Sequence, residues 1–298
     1  MGSISSFLES TFLIERLTGV GIYVLALGFF YYQISHSGSL KRINRYLNWY
    51  VVLLGIMAFF YIPGASADLT RWRVYANSWT QMSFSTFLTQ RAIPSQTPAA
   101  YLLMYLCQKT GIDGLLPCVC ALAFYSNCFL SLKIVAEKYN LRSRSIAISL
   151  LFLMAPGMFL EVISGVRCFL SFSFICRCIC DECLDDKSLW KNIIWYVLAC
   201  LLHTAAMALV ALRLLVLLFE EKRGISIRVL NVIAVMVMAF LAFRYGNNLM
   251  DATLAKAASY TTNTIYQYSW EYLIGGIGFI MICLVAYPAF KKRAGGYS

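Results

Sequence analysis

The chain has 298 residues, of which 60% are hydrophobic and only 13% charged, and its mean hydropathy is +0.69. A soluble globular domain is nearer half apolar and a quarter charged, so this composition excludes an ordinary soluble fold and predicts an all-α, polytopic transmembrane helical bundle of about 8–9 spans. The net charge of +11 lies in short basic clusters beside apolar runs, a pattern set by the positive-inside bias and by anionic headgroups; the expected partners are membrane lipids and not nucleic acid.

No polar block is long enough for a separate soluble domain, so residues 1–298 read as a single integral membrane domain. The first span is expected at 17–33; with no basic n-region or small-residue cleavage site before it, it reads as retained and not as a signal peptide. A basic turn with Lys41, Arg42 and Arg45 follows, then a span at 47–62. The longest polar stretch, 63–98, reads as a loop with an amphipathic segment. In it Asp68, Arg71, Trp72, Tyr75 and Trp79 recur at helical spacing and predict one shared face. Residues 99–107 are apolar but too short to cross, which predicts an interfacial or re-entrant helix. Further spans are expected at 115–135, at 145–163 with an interruption at Pro156 and Gly157, and, shorter, at 168–180.

The stretch 193–219 has two readings, one long tilted helix or a hairpin of two short helices with His203 at the bend. Loop charge favours the hairpin. With the Lys41–Arg45 turn in the cytoplasm, Lys138, Arg142, Arg144, Arg177 and the C-terminal Lys291, Lys292 and Arg293 also fall inside. The basic run 220–228 joins them only if the chain turns back. The last spans are expected at 229–243 and 273–290, joined by an outer loop at 245–270. This topology brings Asp68 to Tyr75, Ser164 to Arg167, His203 and the 245–270 loop to one side.

Ionisable groups inside apolar sequence cost a few kcal/mol by insertion scales and mark functional candidates. Arg167 follows an apolar run whose only charge is Glu161, and His203 stands in a run whose only charge is Arg213. Arg213 is expected to snorkel to the cytosol. Eleven cysteines include Cys176, Cys178, Cys180 and Cys183, at a spacing that matches no zinc or iron–sulfur pattern; they read as small apolar residues. Tyr260, Tyr266, Tyr268, Trp270 and Tyr272 read more readily as an interface belt than as a sugar platform. Gly275, Gly276 and Gly278 read as helix contacts. Two nearby histidines with a carboxylate are missing from the sequence, so no metal and no cofactor is expected.

From Asp68 to Leu215 the order of motifs resembles the EpsG family of bacterial exopolysaccharide polymerases, a Wzy-like group. The resemblance rests on Ala67-Asp68-Leu69, on Gln96-Thr97-Pro98-Ala99-Ala100-Tyr101 before a Thr110-Gly111 turn, on Ser164-Gly165-Val166-Arg167, and on Leu198-Ala199-Cys200-Leu201-Leu202-His203-Thr204-Ala205. It departs from the family at Val166 and Cys168, where isoleucine and glutamine are usual. The resemblance implies transfer of a growing glycan from undecaprenyl diphosphate to a second lipid-linked repeat unit, in exopolysaccharide, capsule or O-antigen biosynthesis. The site would face outward from a bacterial inner membrane, and other polysaccharide-assembly proteins are conceivable partners. For that reaction Arg167 is the first choice to hold the leaving diphosphate, because a planar guanidinium meets phosphate oxygens bidentately. Arg71, Arg73, Tyr75, Ser164 and Gly165 join it as substrate-binding candidates. His203 would serve as general base or as hydrogen-bond donor to the diphosphate. Asp68 is a rival base, or the partner that orients Arg71. A flippase or transporter for the same lipid-linked sugar is the alternative, and a scaffold subunit a third; the absence of an internal repeat counts against transport.

Overall fold

A computed structural model of the chain describes residues 2–63, 68–153, 156–185 and 189–218, with isolated positions at 229, 232, 233 and 236. Met1–Arg223 forms one compact unit and Gly224–Ser298 a second. The expected loop at 245–270, the span at 273–290, nearly all of the span at 229–243, and the Tyr260–Tyr272 and Gly275–Gly278 clusters lie outside the described residues.

The described residues are helical, without strands. In chain order the helices are α1 (Gly2–Ser35), α2 (Leu40–Phe59), α3 (Asp68–Trp79), α4 (Phe84–Phe87), a π-helical turn (Leu88–Ala92), α5 (Pro98–Lys109) and α6 (Leu115–Lys138). They continue with α7 (Ser143–Leu153), α8 (Pro156–Ser164), α9 (Val166–Cys183), α10 (Leu189–Leu202) and α11 (Thr204–Leu218). Pro98 and Pro156 open α5 and α8, where a proline's missing N–H costs nothing. Gly111, after α5, adopts φ +72°, a left-handed conformation suited to glycine.

Two expectations change here. Lys41, Arg42 and Arg45 do not form a turn between spans; they lie within the first turns of α2. The Ser39 hydroxyl accepts from the Arg42 N–H and so starts the helix ahead of the basic residues. The face of α3 is also rotated. Leu69, Ala76 and Trp79 are buried, with Trp72 half-buried beside them, while Arg71 and Tyr75 stand on the exposed side. Leu69 and Ala76 can give up water at no polar penalty, so they take the interior stripe that the charged residues of the predicted face cannot.

Two cores organise the unit. The first joins α1, α2, α6, α7 and α8 around Phe30, Tyr50, Leu54, Tyr125, Phe129, Ile146 and Ile163. α2 and α6 approach so closely that a Cβ on Gly55 would lie 2.5 Å from Leu122 Cδ2, and one on Gly114 would run into the Phe59 carbonyl. The second core joins α3, α4, the π-helical turn, α5, the start of α6, α9 and α10 around Leu69, Trp79, Phe87, Met104, Tyr105, Cys120, Val166, Leu170 and Leu202. It is the second core that carries the candidate site.

The hairpin reading of 193–219 holds. The α10 residue Asn192 and the α11 residue Arg213 both reach the Glu182 carboxylate at the end of α9. In one straight helix these two positions would lie roughly 31 Å apart, at about 1.5 Å of rise per residue. His203 is the non-helical residue between the arms. Arg213 therefore does not snorkel. Its side chain is 11% exposed and its guanidinium is paired with Glu182, because a fully enclosed carboxylate (0% exposed) lies within reach. Among the described helices α6 alone is both long and apolar enough to cross a membrane; Gly19–Ser35, α10 and Thr204–Val216 are apolar but shorter.

Candidate functional site

Three stretches far apart in sequence meet at one end of α9. Gly165 breaks the chain between α8 and α9, with its N–H donating to the Glu161 carbonyl at 2.6 Å. A Cβ at this position would sit 3.0 Å from that carbonyl oxygen and 3.2 Å from the Phe169 ring, which accounts for the glycine. Arg167 then falls in the first turn of α9, half-buried, beside half-buried Ser164 and Gly165. Its guanidinium carbon lies 4.1 Å from the centroid of the Trp72 ring of α3. A cation over an indole face at this range contributes about 0.5–2 kcal/mol, more as water is excluded. Within the described residues its charge is oriented by this aromatic face.

Trp72 is itself held from behind. It meets Tyr101 of α5 edge-on at 6.0 Å, and Tyr101 stacks on Trp79 at 5.0 Å. Trp79 in turn contacts buried Phe87, which stacks on Tyr105 at 4.1 Å. Polar ties fix α3 against α5 as well: Gln108 Nε2 donates to Asn77 Oδ1 at 2.7 Å, and Lys109 Nζ to the Thr80 carbonyl at 2.6 Å. Arg73 belongs to this bracing. Its Nη2 donates to the Asp113 carbonyl at 2.7 Å, across 40 residues of sequence. Arg71 pairs with Asp68 on the exposed side of α3, and exposed Tyr75 meets Trp72 with ring centroids 5.9 Å apart. An exposed pair such as Asp68–Arg71 adds only about 0.2–1 kcal/mol, so either member can be recruited by a ligand at little loss.

His203 arrives at the same end through helix register. Asn192 Nδ2 donates to the Cys178 carbonyl, and Ser171 Oγ donates to the Ala199 carbonyl at 2.9 Å. From the first pair to the second, α9 runs back seven residues while α10 runs forward seven, so the two helices are antiparallel. Four residues further in each direction brings Arg167 level with His203. The His203 ring also meets Phe172 of α9 at 6.0 Å, edge to face. Its backbone N–H closes α10 on the Ala199 carbonyl, and its Nδ1 accepts the Ala205 N–H at 3.1 Å, capping α11. That bond has a chemical consequence: with Nδ1 an acceptor, the neutral ring carries its proton on Nε2 and presents a donor.

A family model described as the EpsG family matches residues 73–295, well over half of the chain. The chain belongs to the EpsG family. Tyr75, Ser164, Gly165, Arg167 and His203 lie within the matched stretch, while Asp68, Arg71 and Trp72 stand just ahead of it. Searches of curated proteins and of solved structures each return no match. Membership in the EpsG family points to a polymerase-type role in polysaccharide biosynthesis and to a membrane-associated protein.

Of the sequence candidates, Asp68, Arg71, Tyr75, Ser164, Gly165, Arg167 and His203 fall on the elements that meet here, and Arg73 is engaged with Asp113. Among the described residues no three His, Cys, Asp or Glu side chains converge as a metal would require. Sequence reading missed the Trp72 platform under Arg167 and the Glu182 carboxylate at the far end of α9. A tryptophan on an amphipathic helix looks the same whether it faces lipid or a cation. The clue to Glu182 was an arginine in mid-helix with no partner nearby in sequence.

Proposed function

We propose that this EpsG-family chain is a glycan polymerase that joins lipid-linked oligosaccharides within a bacterial inner membrane. The growing glycan leaves its undecaprenyl diphosphate: the bond from the anomeric carbon to the diphosphate oxygen breaks. A hydroxyl of the terminal sugar on a second lipid-linked unit forms the new glycosidic bond and gives up its proton. The leaving group departs with an added negative charge, so a pre-placed cation favours the transition state over the ground state. Arg167 fills that role, its fork oriented by Trp72. His203, level with it and carrying its proton on Nε2, donates a second hydrogen bond to the diphosphate. The acceptor proton goes to Asp68, one helical turn before Trp72, with Arg71 holding the carboxylate in place. Tyr75 and the open part of Trp72 offer ring faces on which sugars stack.

The observation that carries the reading is the meeting of Arg167 with the Trp72 face at the end of α9 where His203 also stands. In the bilayer α6 crosses fully, as one of about 8–9 spans, and the α10–α11 hairpin enters from one side with exposed apolar side chains such as Ile194, Val197, Leu212 and Val216 against lipid. The catalytic end lies at the outer face, and no metal takes part.

The test is the pool of lipid-linked glycan in cells lacking the protein, resolved by repeat number and by membrane face. Single repeats accumulating at the outer face without longer chains are expected. Single repeats held at the cytoplasmic face would instead identify a flippase, and the reaction roles given to Arg167 and His203 would fall.

A further inference from the structure

At the opposite end of α9 from Arg167, three helices are tied to one carboxylate. Glu182 is fully enclosed. Its Oε2 accepts from both Nε and Nη2 of Arg213 on α11, at 3.1 and 3.0 Å. Its Oε1 accepts from Asn192 Nδ2 on α10 at 3.3 Å, and the same amide also donates to the Cys178 carbonyl. Arg177 and Asp181, an ion pair at 3.0 Å on α9, lie alongside. This cluster touches none of the residues assigned to the reaction. It fixes instead how the hairpin closes, because α10 and α11 are each bound to α9 through the same side chain.

We infer that Glu182 is a positioning residue of the site: by clasping Asn192 and Arg213 it shuts the α10–α11 hairpin and sets where His203 stands relative to Arg167. The register explains how this works at a distance. α10 is rigid between Asn192 and His203, and Ser171 pins it once on the way, at Ala199. α11 is tied to α9 through Arg213, nine residues beyond the Thr204 that opens it. A shift of α11 is felt at its first turn, where the Ala205 N–H holds His203 Nδ1. The consequence for catalysis rests on the polymerase reading above; the consequence for the His203 ring does not.

The chain contains two histidines, which makes this difference measurable. With His36→Gln as background, the imidazole nitrogen resonances of the reconstituted protein come from His203 alone. The clasp predicts an acceptor-type Nδ1 and a protonated Nε2 in that background. It predicts that Glu182→Gln, which keeps the side chain's shape but removes its charge, moves both signals towards an averaged or altered tautomer. In a liposome polymerisation assay the same variant should lose at least tenfold in turnover while the KM for lipid-linked repeats stays within about twofold. Arg213→Lys is the second variant, for use if Glu182→Gln does not fold; it keeps the charge but cannot make both guanidinium bonds, and smaller changes in the same directions are expected. Unchanged His203 signals in either folded variant would overturn the inference. Signals that move in an enzyme whose turnover is indifferent to Arg167 would leave the clasp standing and remove the polymerase reading instead.

Discussion

Arg167 illustrates how one residue acquires a role through its surroundings. An arginine at a helix start in apolar sequence is ordinarily a headgroup anchor. Here its guanidinium lies over the Trp72 ring, and Trp72 is backed by Tyr101 and Trp79. A flexible anchor would need no such platform. Loss of one well-placed donor to a developing oxyanion typically costs about 2.7–4 kcal/mol, so Arg167→Ala should lower turnover by about 100-fold or more with folding intact. Arg167→Lys should fall nearly as far, because a point charge lacks the planar fork and its stacking on the ring. Both are read as glycan chain length and rate with purified protein. For His203 the Ala205 N–H on Nδ1 makes the ring a donor. His203→Gln, whose amide can still donate, should therefore retain several-fold more activity than His203→Ala; equal losses would return the histidine to the general-base role.

At the scale of elements, glycine positions state the packing plainly. Gly114 lies against the Phe59 carbonyl, where backbone meets backbone and no side chain can move aside. Gly114→Ala should cost about 1–3 kcal/mol, seen as a lower midpoint for thermal unfolding in detergent. The clasp gives a paired prediction. Arg213→Met leaves Glu182 charged and enclosed and should cost about 3–5 kcal/mol, whereas Glu182→Met with Arg213→Met together should be near neutral for stability. Most of these elements were legible in sequence. The Pro156 break, the short helix after Pro98 and the bend at His203 are all marked by punctuating residues or by loop charge. The start of α2 was not, because Ser39 caps a helix whose first turns are basic and therefore look like loop. The orientation of α3 was not either, since Trp72 and Trp79 sit on the border between its two faces and weigh equally for both. The Glu182–Arg213 pair spans 31 residues, and no local pattern announces a contact at that separation.

Within Met1–Arg223, the two cores divide the work. The core of α1, α2, α6, α7 and α8 is dense and aromatic and reads as scaffold. The core of α3, α5, α9 and α10 gathers the candidate chemistry. The convergence was predicted from loop charges that set which helix ends share a side, and the fold joins Arg167 with Trp72 and His203 with α9 for a different reason, the antiparallel register of α9 and α10. Family membership sets the general role in polysaccharide biosynthesis, and the site geometry suggests the step. Polymerisation by the isolated protein is the direct test: purified chain in liposomes, supplied with lipid-linked single repeats, with the products resolved by size. Wild-type protein should build a ladder of longer glycans and release undecaprenyl diphosphate, and Arg167→Ala should leave single repeats. No ladder from folded wild-type protein, or an equal ladder from Arg167→Ala, would contradict the assignment of polymer growth to the Arg167 end of α9.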